Sequence, residues 1–305
     1  MKKINLGNSN LLASEIALGC WRMDELSDDQ SAHVIATAYE NGINFFDHAD
    51  IYGGGESEAV FAAGFKIAGI NRENVFIQSK VGIRDQFFDF SKEHILEAVE
   101  GSLTRLNTDY LDVLLLHRPD ALVEPEEVAE AFNILQLSGK VRAFGVSNQH
   151  PMQIALLQKY LNQKLIVNQL QFSPAFTGMV DVGLQVNMQT PGSVHHDGML
   201  LDYCRLHDIT IQAWSPFQYG NIEGVFFNNP KYDALTDTLR RIGKEKGTNE
   251  NAMTAAWILR HPARIQVIIG SMNPARIADT CATKNITLSR EEWYEIYRSA
   301  GNIMP

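Results

Sequence analysis

Short apolar runs at about 15–21, 44–50, 75–80, 110–117, 141–148, 165–172, 209–217 and 266–271 alternate with helix-length segments along almost the whole 305-residue chain. Strand-helix units repeated in this way build parallel sheets, and eight of them close into a barrel. The intervening segments DDQSAHVIATAYENG, ESEAVFAAGFKIAG, SKEHILEAVEGSLTRL, PEEVAEAFNILQLSG, HPMQIALLQKYLN, GMLLDYCRLH, NENAMTAAWILRHP and PARIADTCATK all carry helical periodicity. Residues 1–16 read as two short strands around Gly7-Asn8-Ser9-Asn10, a hairpin suited to plug the bottom of a barrel. At the other end LSREEWYEIYRSAG reads as a helix lying across it. The expected fold is therefore α/β, a (β/α)8 TIM barrel with an N-terminal β-hairpin and a C-terminal helix, spanning 1–305 as one domain without linker or low-complexity tract.

Two segments depart from the rhythm. Residues 173–197 hold Gly178, Gly183, Pro191, Gly192 and the pair His195-His196, and residues 218–231 hold Gly220, Gly224, Asn228, Asn229 and Pro230. Long loops in compact folds are usually lids or binding walls, so 173–197 is expected to cover a substrate on the strand-end rim. The run His195-His196-Asp197 is not expected to hold a metal, because adjacent histidines point apart and no third ligand is spaced for a site.

Three successive strands end in groups able to move protons: Asp47 with Tyr52 just beyond it, then Lys80, then His117. Each alone has an ordinary reading, as half of an ion pair or as a hydrogen-bonded rim histidine. Together, in register, they converge on the rim where barrel enzymes keep their chemistry. A tyrosine with a reference pKa of about 10 is a poor proton donor at neutral pH. A neighbouring Lys80 is expected to lower that pKa, with Asp47 holding the lysine and a neutral His117 orienting a substrate oxygen. A phenol that gives a proton to an oxygen suits carbonyl reduction.

Such a reduction needs a hydride, which no side chain supplies. No G-x-G-x-x-G follows a strand, and Gly53-Gly54-Gly55 reads instead as the turn that aims Tyr52 inward. Barrels offer another anion site at their last strand-end loops and a helix N-terminus. The stretch Gly270-Ser271-Met272-Asn273-Pro274-Ala275-Arg276 fits it, with Asn273 as cap, Pro274 at the first helical position and Arg276 in the first turn, where a bound phosphate offsets the unfavourable dipole. An Arg276–Asp279 pair is the alternative. Ser147-Asn148, Gln169 and Trp214-Ser215 lie in or at the ends of three further strands, where amides and hydroxyls can read a carboxamide and an indole can stack on a flat ring. Helix capping by Ser147 or Asn148, and a core position for Trp214, are the alternatives.

Charge narrows the partners: 26 basic against 36 acidic residues leave a net charge of -10, which argues against nucleic acid or an anionic membrane. Cys20, Cys204 and Cys281 show neither metal-ligand spacing nor an even disulfide count, and no run approaches a membrane span. A reduced, cytoplasmic protein is expected.

With Asp47, Tyr52, Lys80 and His117 in place, together with GKVRAFGVSN, IVNQLQFSP, AWSPF and GSMNPARI, the chain resembles the aldo-keto reductase superfamily over essentially its full length, and most of all its bacterial oxidoreductases, which are similar to potassium-channel beta subunits. The resemblance implies NADPH (NADP) as cofactor, no metal, and reduction of a small aldehyde or ketone. It implies catalytic roles for Asp47, Tyr52, Lys80 and His117; carboxamide contacts from Ser147, Asn148 and Gln169; stacking by Trp214; a pyrophosphate-covering segment with Ser215, Phe217 and Gly220; and adenosine-phosphate contacts from Ser271, Asn273 and Arg276. Trp21 and Met23 match a wall of the substrate pocket, and His48, where threonine is common, its floor. Gly270 stands where many members carry a lysine, so an NADPH preference rests mainly on Arg276. A nucleotide-sensing regulatory subunit is the alternative that the channel resemblance leaves open.

Overall fold

The computed structural model describes residues 1–194, 196–283 and 286–304, so His195 of the histidine pair lies outside the described residues. The chain opens with an antiparallel hairpin, β1 (Lys3–Asn5) and β2 (Leu12–Ser14). Eight parallel strands then form a closed barrel: β3 (Ile16–Gly19), β4 (Phe45–Asp47), β5 (Phe76–Val81), β6 (Leu111–Leu116), β7 (Val141–Ser147), β8 (Leu165–Gln171), β9 (Thr210–Trp214) and, after a small hairpin of β10 (Gln218–Tyr219) and β11 (Gly224–Val225), β12 (Gln266–Ile269). The ring closes where the last strand meets the first, with Ile268 beside Ala17.

Helices α1 (Asp28–Glu40), α2 (Glu56–Ala68), α3 (Lys92–Arg105), α4 (Pro125–Leu137) and α5 (Pro151–Tyr160) follow β3 to β7 in turn. Polar side chains cap α1 and α3: Ser27 and Gln30 form a capping box, and Ser91 accepts the backbone N–H of His94. Then come α6 (Gly178–Leu184), α7 (Leu200–Leu206), α8 (Asp233–Glu245), α9 (Glu250–Leu259), α10 (Pro274–Cys281) and α11 (Arg290–Ser299). Helix α8 was not anticipated. Its charged surface carries one apolar stripe, Leu235, Leu239 and Ile242, all buried.

Strand alternation decides which side chains enter the barrel. Ala17, Phe45, Val113, Leu115, Val167 and Ile268 fill its lower interior, and Leu6 of the N-terminal hairpin joins them as the plug. Above them lies a polar layer. Gln78 and Gln169 both donate to Gln212 Oε1 (2.9 and 3.1 Å), Gln212 donates to Gln266 (2.8 Å), and Gln266 donates to the Ser14 carbonyl (2.7 Å). Every amide nitrogen there donates within the layer or to the plug, as burial demands, while Gln78 Oε1 is left without a protein partner.

The segment 173–197, in its described residues, contributes no wall to the rim cavity, contrary to expectation. It holds α6, which docks on the C-terminal end of the chain: Tyr297 Oη donates to Asp181 Oδ1 at 2.6 Å, and Asn302 Nδ2 donates to the Pro174 carbonyl at 3.3 Å. The buried face of α6, Met179, Val180 and Val182, gives the segment its own apolar anchorage.

Candidate active site

Asp47, Lys80 and Tyr52 meet at the carboxyl ends of β4 and β5. Lys80 Nζ, on a fully buried side chain, lies 2.8 and 2.9 Å from the two Asp47 oxygens, 2.7 Å from the His48 carbonyl and 3.0 Å from Tyr52 Oη. Three hydrogens thus face four oxygens on three residues, which leaves the ammonium no free hydrogen for a ligand. Asp47 is held from below as well, by Gln78 Nε2 at 2.6 Å and Gln169 Nε2 at 3.1 Å. Gly53, Gly54 and Gly55 all take positive φ in the turn after Tyr52, and a Cβ at Gly53 would lie 2.6 Å from Asp24. The turn therefore requires glycine for both conformation and space.

The His117 ring stands edge-on to Tyr52, centroids 5.9 Å apart, and its Nδ1 is buried without a protein partner. Burial, then the charges of Lys80 and Arg118, hold His117 well below its ordinary pKa, so it is neutral near pH 7. Burial works against charge on Lys80, yet Asp47 and Tyr52 more than offset it and the group titrates above its usual value. The expectation for Tyr52 needs correction. Burial of the phenol is the largest influence and outweighs the pull of Lys80, so its pKa is raised rather than lowered.

These groups open on a cavity of about 510 Å³ that runs from Asp47, Tyr52 and His117 along Ser147, Asn148, Gln169 and Trp214 to Ser215, Phe217, Ser271 and Arg276. Ser147 Oγ accepts from Asn148 Nδ2 (2.8 Å), and Asn148 Oδ1 accepts from Trp214 Nε1 (3.3 Å), which ties the ends of β7 and β9 together. Asn148 and Ser215 both have positive φ (55° and 51°), a conformation costing of order 1–3 kcal/mol that clusters at functional sites. At the far end Asn273 caps α10, accepting from Ala275 and Arg276 N–H groups at 2.9 and 3.3 Å. Its side-chain oxygen is thereby engaged, and Asn273 is not among the cavity-lining residues, whereas Arg276 lines the cavity.

Trp21 and Gly270 also line the cavity. A Cβ at Gly270 would come within 2.8 Å of Trp21 Nε1, so the indole fills the room that a longer side chain at 270 would need. Besides Asn273 and the buried Lys80, three anticipated residues lie off the cavity. Met23 and His48 are wholly buried off the cavity, His48 with its ring 4.4 Å from that of Phe61, because it follows inward-facing Asp47 and must point outward. Gly220 contributes its carbonyl to Gln171 Nε2 at 2.7 Å behind the wall. Conversely Arg22, Arg118, Ile222, Val225, Arg240 and Glu250 line the cavity without having been singled out. Arg118 was legible as the residue after a strand-end histidine; the β10–β11 residues had no such signal. None of the described residues of 173–197 lines it.

The model of the aldo/keto reductase family matches residues 15–300. A 6-dehydroglucose reductase of Agrobacterium fabrum is 35% identical over 313 residues, covering 98% of this chain and 98% of that protein. The oxidoreductase YdhF of Escherichia coli K12 is 34% identical over 302 residues, covering 94% and 93%. Among solved structures, a thermostable aldo-keto reductase in complex with the inhibitor epalrestat superposes with a TM-score of 0.79 at 23% identity, covering 98% of this chain and 100% of that one, a likeness of fold.

Proposed function

The chain belongs to the aldo/keto reductase family of oxidoreductases, and from that premise we propose that it reduces small aldehydes or ketones with NADPH, Tyr52 acting as the general acid. The observation that carries the reading is the buried contact of Lys80 Nζ with Tyr52 Oη, 3.0 Å, on an ammonium fixed by Asp47. A phenol whose oxygen already accepts from a cation can give up its own proton and leave a phenolate that the cation stabilises. Neutral His117 is placed to donate to the same substrate oxygen and orient it.

The cavity fits a nicotinamide dinucleotide. Gln218 Oε1 and His117 Nδ1 are buried polar atoms without protein partners beside it, the Trp214 ring lines its middle, and Arg276 with Ser271 supplies polarity for a phosphate at its end. Ser147, Asn148 and Gln169 would hold the carboxamide, and Ser215 and Phe217 would cover the pyrophosphate. NADPH, when bound, supplies the hydride; Tyr52 supplies the proton; the buried tetrad keeps bulk water from the exchange. The nucleotide-sensing alternative draws on no separate feature of the fold.

The test is an absorbance assay at the nicotinamide band with both cofactors against aldehydes, ketones and 6-dehydroglucose, run on the native protein and on Tyr52→Phe. Removing general acid catalysis should lower the rate by about 10² to 10⁴, with NADPH affinity close to native because Tyr52 lies off the proposed cofactor contacts. A Phe variant that turns over at the native rate would refute the assignment.

A further inference from the structure

Two arginines near the catalytic end have no task in this reading. Arg118 follows His117 and Arg22 follows Trp21, and both line the cavity. The Arg118 guanidinium carbon lies 5.7 Å from the Trp214 ring centroid, and that of Arg22 lies 4.2 Å from the Trp21 ring. Arg118 is half buried; burial weakens its hold on its proton, with only the Tyr52 oxygen pulling the other way, which places the cation in the electrostatic reach of the proposed acid. Among the described residues the cavity's acids are Asp47 and Glu250. Asp47 is bound by Lys80, and Glu250 faces Arg240 at 3.5 Å. Neither Arg118 nor Arg22 takes part in an ion pair among the described residues.

A partly desolvated guanidinium without a counter-charge is unfavourable unless a ligand supplies one. The positive charge here is local, since the chain as a whole carries -10. Nor does the cofactor's adenosine phosphate account for it, because Arg276 serves that end. We infer that the substrate brings its own carboxylate: an oxo-acid whose carbonyl sits at Tyr52 and His117 while Arg118 binds the acid group, with Arg22 as an outer contact. A planar guanidinium offers a carboxylate two parallel N–H donors, and the Trp214 ring gives the cation an aromatic neighbour at 5.7 Å. This inference rests on the carbonyl-reductase reading and names its substrate class.

The experiment compares kcat/KM for a series of ω-oxo acids, from glyoxylate to adipate semialdehyde, each with its methyl ester. At the best chain length the native protein should favour acid over ester by about tenfold to a hundredfold, the worth of one charge-assisted hydrogen bond. Arg118→Met should bring that ratio close to one, and Arg118→Lys should keep part of it. A native ratio near one overturns the inference, as does a ratio that survives in Arg118→Met, a loss confined to NADPH affinity, or 6-dehydroglucose being reduced far faster than every acid. If no carbonyl compound oxidises NADPH, the carbonyl-reductase reading itself fails. A second readout needs no turnover: succinate should quench tryptophan fluorescence saturably in the native protein and not in Arg118→Met. Absence of saturable quenching in the native protein overturns the inference by itself.

Discussion

At the scale of single residues, burial is the main force on the titrating groups, and its consequences differ in sign. Burial, then the charge of Glu58, lifts Asp50 to about 7, against about 3.9 in an unfolded chain. A carboxylate raised on folding contributes stability below about pH 4 and loses it as pH rises through 7. His48 and His261 are pushed down to about 3 and about 4 by burial, so their contribution is present above about 6.5 and is lost as pH falls. Asp50→Asn should therefore melt like the native chain near pH 4 and several degrees higher near pH 8, a difference that thermal melts across this range would read. A constant offset at every pH would show that Asp50 acts through packing instead. On the function proposed above, Arg276 bears on cofactor choice. With Gly270 pressed against Trp21, it has no lysine neighbour from position 270 to share a phosphate. Arg276→Ala should cost NADPH about tenfold to a hundredfold in affinity and NADH little; fluorescence titration with both cofactors measures it, and equal losses would contradict the assignment.

Elements explain why some of this was legible in sequence and some was not. The eight barrel strands announce themselves as β-rich runs between helical segments, and Asp47, Lys80 and His117 could be placed on one rim because each ends such a run. Alternation, properly applied, also sends His48 outward. Helix α8 was hidden because a strand-helix rhythm allots one helix to each strand, whereas the β9–β12 connection carries both α8 and α9. The two irregular segments look alike in sequence, both rich in glycine and proline, and only tertiary contacts separate them: 173–197 binds the C-terminal helix, while β10–β11 brings Ile222 and Val225 to the cavity. Two outcomes follow. Tyr297→Phe, which removes a hydrogen bond to the Asp181 carboxylate, should cost roughly 1.5–3 kcal/mol in denaturant melts and leave substrate ranking alone. Replacing 220–223 with a Gly-Ser linker should instead speed NADPH release in stopped-flow displacement, and native release rates would remove the hairpin from the binding wall.

For the whole molecule, the polar ring of Gln78, Gln212 and Gln266 connects the catalytic rim to the plug at Ser14, and strands from every part of the chain contribute to it. A chain acting as one domain should melt in a single transition that NADPH moves as a unit, by about 2.7 kcal/mol at a hundredfold excess over its Kd. Two transitions, of which the nucleotide shifted only one, would divide the chain into separate parts.

The contact of Trp21 with Gly270 has a temporal meaning too. Trp21 is synthesised with the first barrel strand and Gly270 only after the last, and β3 and β12 beneath them are the seam of the barrel. On the function proposed above, the nucleotide cradle stays incomplete on a growing chain until that seam is sewn. Binding of NADPH would then certify a finished product, and a fragment ending before β12 would pass through the cell without ever being able to hold the coenzyme.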